Sequence, residues 1–168
     1  MSHRSDLAED PRGTLFALLK DVPAGMLSID GSADHPQPMT HVADATHGEL
    51  WFLTSRQTDL VRAVGQGGRA KFTVIADDQC LHASLAGAIV QSVDAAHLDR
   101  LWTTAAAPWF PEGRDDPDLI ALRMTLSEAM VWASTTSSLR YGFEMLRGAV
   151  DGEHAPDIAT QVLIPFNG

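Results

Sequence analysis

Leu50-Trp51-Phe52-Leu53-Thr54-Ser55 is the stretch on which the reading of this chain turns. Gln37-Pro38-Met39-Thr40-His41 precedes it, and Arg56-Gln57-Thr58-Asp59-Leu60-Val61-Arg62 follows directly. The first two stretches read as strands, rich in β-formers and bounded by turn residues. The third opens a helix, with Ser55 or Thr58 as candidate cap. The chain therefore runs from an aromatic strand into two hydroxyl residues and then into helix N–H groups. Such a place suits an anion with a flat ring beside it.

Working outward, residues 6–20 read as a helix, with Asp10-Pro11 at a helical start and Leu15, Leu18 and Leu19 as its apolar stripe. Gly25–Ile29 and Gln37–Ala43 read as strands around the turn Asp30–Asp34, and Thr46–Glu49 turns the chain into Leu50–Thr54. These three strands describe an antiparallel meander. Thr58–Val64 is a short helix stopped by Gly65-Gln66-Gly67-Gly68. Arg69–Ala76 alternates apolar and polar residues, and Cys80–Val93 is a long strand with Gly87 placed for a bulge. Asp94–Trp102 reads as a helix, Ala105–Pro117 as irregular, and Leu119–Leu126 and Ala129–Ala133 as two strands joined tightly at Ser127-Glu128. Ser138–Leu146 is a last helix, and the apolar Val162-Leu163-Ile164-Pro165-Phe166 should dock on the fold. Most strands follow one another with no helix between them, which argues against a parallel βαβ sheet. The expected class is mainly β with α (α+β): an antiparallel β-barrel of six or seven strands with peripheral helices, closed so that edges are not exposed. A single domain spanning 1–168 is expected, with its core over about 10–147 and an extension over 148–168.

The formal net charge of −10 speaks against a nucleic-acid partner and against an anionic membrane surface. Within it lies a basic zone: Arg56, Arg62, Arg69 and Lys71 fall in one window with a single acid, Asp59. Such a zone can hold a small anion, or be no more than a solvated helix face. The single cysteine, Cys80, excludes an internal disulfide and a Cys-rich zinc site. Met1–Asp10 carries no apolar run of signal type, and no stretch has the length of a membrane span, so a cytoplasmic protein is expected.

The order of elements and the local words together resemble the FMN-binding split-barrel family related to pyridoxamine 5′-phosphate oxidase, in its general-stress-protein branch. The words are Pro38-Met39-Thr40, Leu50–Ser55, Gly87 in the long strand and Leu101-Trp102. Further on come Trp109-Phe110-Pro111-Glu112-Gly113, Asp115-Asp116-Pro117, Leu122-Arg123-Met124 and Ala129-Met130-Val131-Trp132. The resemblance implies a homodimer with two flavin sites at the interface. It implies that Met39, Thr40 and His41 lie along the isoalloxazine ring, and that Phe52, Leu53, Thr54 and Ser55 follow the ribityl chain. Thr58 and the helix start behind it would hold the phosphate, with Trp109 and Phe110 reaching over from the partner subunit or covering the ring edge. FMN is the expected cofactor. One departure stands out: many members carry Lys where this chain has Leu60. Arg56, or else Arg62 or Arg69, could supply the missing cation, since a guanidinium binds phosphate bidentately. The departure leaves FAD, a deazaflavin and an empty site as alternatives.

The remaining chemistry-bearing residues form no set. His35, His41 and His47 are six apart, which makes no metal face, and no metal site is expected. Asp115 and Asp116 read as loop residues, Cys80 as inert, and the glycine run at 65–68 lacks the Lys and spacing of a phosphate loop. No catalytic residue is legible. Two functions follow: a flavin-dependent oxidoreductase acting on an unidentified small molecule, in which the cofactor carries the chemistry, or a non-catalytic flavin- or small-ligand-binding stress protein. A barrel that binds another anion at the basic zone is the weaker third.

Overall fold

The computed structural model describes residues 3–93, 98–99, 101–102, 110–134 and 159–166. Two helices come first, α1 (His3–Glu9) and α2 (Pro11–Asp21). The sequence reads as one helix here, but Pro11 offers no N–H and restricts the residue before it. Asp10 instead caps α2, accepting the Gly13 amide at 2.9 Å.

The strands are β1 (Ala24–Ile29), β2 (Gln37–Thr40), β3 (Val42–Asp44), β4 (Glu49–Ser55), β5 (Gly68–Ile75), β6 (Leu81–Ser92), β7 (Leu119–Ser134) and β8 (Ala159–Pro165), with α3 (Asp59–Val64) between β4 and β5. All pairings are antiparallel, in the order β2-β1-β5-β6-β7-β4-β3, with β8 added on β7. The two edges of this path are β2 and β3, which are halves of one segment separated only by His41. The sheet therefore curls until its edges meet along a single piece of chain, the split-barrel α+β class expected.

The seven-strand path hides two compensating differences from the sequence reading. The expected strand 37–43 is split at His41, because its first half pairs with β1 and its second with β4. The expected meander is thus two hairpins sharing a broken strand. Conversely, the two strands expected on either side of Ser127-Glu128 are one strand. Ser127 is the extra residue of a bulge: Ala86 pairs with Glu128 and Gly87 with Leu126. Gly87 has no alternative, since a Cβ there would stand 2.1 Å from the Thr125 carbonyl oxygen. The Ser127 hydroxyl donates to Ala86 O at 3.0 Å, the bond that makes a turn-type residue fit mid-strand.

Alternation along the strands sorts side chains to two faces. Leu27, Leu50, Phe52, Phe72, Val74, Leu85, Ile89, Leu122, Met124 and Val131 fill the interior with α2 and α3 packed on it. The apolar tail docks as expected: β8 pairs with β7, and Phe166 packs edge-on against Phe16 of α2 at 6.2 Å. Of the expected helix 94–102, residues 98, 99 and 101 are helical, Trp102 is described but not helical, and residues 94–97 and 100 lie outside the described residues, as does the expected helix 138–146.

Candidate functional site

The site is built where β4 ends. Phe52 and Thr54 share the inner face of β4 with Leu50, while Trp51, Leu53 and Ser55 take the outer face. After Ser55 the chain turns over Arg56 and Gln57, and Thr58 caps α3, its Oγ1 accepting from Val61 N at 3.3 Å. The turn is pinned to the loop before β7. Arg56 N donates to Asp118 O at 2.8 Å, Arg56 Nε to Pro117 O at 3.1 Å, and Gln57 Nε2 to Asp118 Oδ1 at 3.1 Å. From the other side, Gln91 of β6 donates to Val61 O and Gly65 O, at 3.2 and 2.9 Å, fixing the far end of α3.

Hydrogen-bond accounting separates the candidates. Thr58 is already committed twice: its hydroxyl donates to Ser55 O at 2.9 Å while it caps the helix. Arg62 is committed as well, donating to Gln57 O at 2.7 Å and paired with Asp59. Arg56 spends only Nε, and no carboxylate among the described residues pairs with its terminal nitrogens. Ser55 Oγ accepts from Gln57 N at 3.2 Å and keeps its own proton to give. Thr54 is the unusual one. Among the described residues it is one of two buried polar residues, 9% exposed, and its hydroxyl has no partner among them but keeps access to solvent, since the buried unpartnered polar atoms there are Asp6 Oδ1 and His41 Nδ1. A ligand there would find a donor that no neighbouring group already holds.

The other named residues are placed as follows. Met39 packs against the barrel core and Thr40 is exposed beside it. His41 is buried, its ring Nε2 2.8 Å from Leu19 O and its ring edge-to-face with Phe72 at a centroid distance of 5.0 Å. Phe52 is 1% exposed and meets Phe72 edge-on at 5.1 Å, so its ring belongs to the core and only its main chain could face a ligand. Leu53 packs with Trp51, Ala121, Leu98 and Leu101 in a small outer cluster. Leu60 is 3% exposed inside the barrel core, so its position serves packing. Trp109 lies outside the described residues, while Phe110 is buried and tilts against Trp102 at 6.1 Å. The arrangement thus gathers Thr54, Ser55 and Arg56 at one end of β4, and sets Phe52, Met39 and His41 inward.

Gln91 and Asp118 carry structure at this site without having been picked out from the sequence. A signal for Gln91 existed: it falls on the same parity as Leu81, Ala83, Leu85 and Ile89, an inward polar residue on an apolar face. Asp118 offers no such signal, since its role depends on a loop meeting the end of a strand 61 residues away in sequence. No helix among the described residues is long and apolar enough to cross a membrane.

The fold agrees with what the chain is similar to. Residues 10–157 match the family described as pyridoxamine 5′-phosphate oxidase like, and the chain belongs to that family. Among solved structures, a protein assigned as a general stress protein 26 from Jannaschia sp. CCS1 is 31% identical, covers 96% of this chain and 99% of its own, and superposes with a TM-score of 0.73. The general stress FMN/FAD binding protein of Xanthomonas citri is 33% identical over 77% of this chain and 92% of its own, with a TM-score of 0.68. A protein related to general stress protein 26 from Clostridium acetobutylicum, at 21% identity, 79% and 91% coverage and a TM-score of 0.62, shares the fold. No curated protein matches the chain.

Proposed function

We propose that this protein binds FMN between two copies of the chain and serves as a flavin-dependent oxidoreductase acting on a small molecule. The observation that carries the reading is the Thr54 hydroxyl, solvent-accessible and without a partner among the described residues, beside Ser55 and Arg56 in a chain of this family. The likeness to the Xanthomonas citri general stress FMN/FAD binding protein supports the flavin. Thr54 and Ser55 would donate to phosphate or ribityl oxygens, and Arg56, held by its Nε, would present its outer edge to the phosphate. Bound flavin supplies hydride and electron transfer, and the chain binds it, orients it and keeps water away.

The outer face of the sheet supports a second copy. The register sets Ile75, His82, Trp132 and Gln161 in one row and Thr73, Ser84, Met130 and Leu163 in the next. Ile75, Trp132 and Leu163 are 48, 39 and 54% exposed there, an apolar patch of the kind that meets a partner. Cytoplasmic location belongs to the same reading.

The test is the visible flavin absorption of the purified protein after FMN is added and excess removed, with sedimentation of the same sample. Retained flavin on a species of twice the chain mass is expected. A colourless protein overturns the reading; retention of FAD or a deazaflavin in place of FMN corrects the cofactor. Thr54→Val and Arg56→Ala should each weaken FMN binding by about 1–3 kcal/mol, the scale of a hydrogen bond to a charged group. Thr54→Val should leave the apo fold about as stable, because it keeps the shape of the side chain and breaks no hydrogen bond among the described residues. Unchanged affinity in both variants would refute the phosphate placement. A flavin carrier without turnover is the second reading, favoured by Leu60 serving the core where many relatives carry Lys. Oxidation of NAD(P)H by the holoprotein separates the two.

A further inference from the structure

Segment 37–44 changes partner at one residue. Thr40 still pairs with β1, Val42 already pairs with β4, and His41 between them turns its ring into the barrel. The residue is nine-tenths buried, with Nε2 2.8 Å from the Leu19 carbonyl oxygen and its ring edge-to-face with Phe72. Leu19 belongs to α2, so this hydrogen bond ties the helix to the line where the sheet closes. A carbonyl can only accept, so Nε2 carries the proton, and in the neutral ring Nδ1 is the acceptor. Nδ1 is buried and unpartnered. A second proton would arrive there with a full charge and nothing to receive it.

We propose that His41 is a protonation latch: the neutral ring holds α2 on the barrel seam, and protonation releases α2 and loosens the Thr40–Val42 turn. Nothing facing the ring would stabilise a cation. The charged groups of α2 are Arg12, which donates to Ala45 O and lies over Phe166, and the exposed Lys20 and Asp21. Those of β5, Arg69 and Lys71, sit on its exposed face. Glu49 of β4 accepts from Trp51 on the outer face, and Asp44 of β3 is bonded to His47. β1 carries no charged residue. Burial pushes the His41 pKa below its ordinary 6.5, with the Leu19 hydrogen bond opposing in part. The unfolded chain therefore takes up this proton first. Stability is full above about pH 6.5 and falls as pH drops from there toward the folded-state value, with the opening equilibrium shifting by up to about tenfold per pH unit.

The latch stands on the fold alone and needs no cofactor, so it can fail while the flavin reading holds, and the reverse. The experiment is thermal unfolding of the full chain from about pH 7.5 to 5, for the wild type and for His41→Gln, whose amide can still donate to Leu19 O without titrating. The wild type should lose midpoint temperature across this range, by roughly 2–4 °C or more, and the variant's profile should be flatter. The other histidines are common to both proteins and cancel. Parallel profiles overturn the latch. Hydrogen exchange of the wild type provides the second arm, should the variant fail to fold. On acidification, peptides from 11–22 should lose protection before peptides from 68–92. Simultaneous loss, or no loss in 11–22, overturns the proposal equally.

Discussion

Strand β7 and the segment 37–44 hold the same barrel by opposite means. β7 runs 16 residues and is paired along both edges, to β6 over most of its length and to β4 and β8 in succession on the other side. Its position is set by main-chain bonds, and many must fail together before it moves. Segment 37–44 has seven strand residues in two short pieces, each paired on one side only. One ladder holds each piece, and side chains supply the rest: the His41 bond to α2 and the edge-to-face contacts of His41, Phe72 and Phe52. A spine redundantly paired by backbone tolerates changes of side chain. A seam closed by three rings and one hydrogen bond does not, and a polar residue placed there becomes sensitive to its protonation.

The largest effect is expected at the seam. Phe52→Ala removes the ring that backs Phe72, and should cost about 3–5 kcal/mol of unfolding free energy in denaturant titration. A cost near zero would mean that the seam is held by something other than its rings. On the spine, side-chain truncation matters less than backbone intrusion. Gly87→Ala drives a methyl into the Thr125 carbonyl and should cost about 1–3 kcal/mol as overpacking at the bulge. If Gly87→Ala proves harmless, the β6–β7 register can slip, and the contrast between rigid spine and fragile seam is lost. The smallest effect belongs at the turn after β4. Arg62→Gln breaks a pair in which both side chains are 63% exposed, and should change stability by no more than about 0.2–1 kcal/mol. It should also leave FMN affinity unchanged, in contrast to Arg56→Ala. Equal losses from the two would mean that the turn presents its cations differently from the bonding seen here.

Much of this was legible in the chain. Alternation in Arg69–Ala76 located β5 to within one residue, because one of its faces is buried, and the long strand read over Cys80–Val93 located β6 equally well. Gly87 announced its bulge, and the hydroxyl pair after Trp51-Phe52-Leu53 marked the end of β4. Three things were not legible. Ser127 reads as a turn residue, and only the partner strand decides whether an extra residue makes a turn or a bulge. His41 continues an alternating strand, and nothing local says that its neighbours on either side pair with opposite edges of the sheet. Arg56, Arg62 and Arg69 look alike as a basic zone, yet Asp59 neutralises Arg62 while Pro117 orients Arg56.

The amino-acid sequence by itself determined the class of fold, the order of its strands along the chain and the stretch from Leu50 to Thr58 as the place to look. Those properties follow from period, turn chemistry and composition, which act over a few residues. Tertiary structure alone decided which candidates face inward, which donors are already spent and where the sheet closes. Those depend on pairing between residues dozens of positions apart: Gln57 with Asp118, Gln91 with α3, and His41 with Leu19. A hydrogen bond made or withheld across such a distance has no signature in the neighbouring letters of the chain.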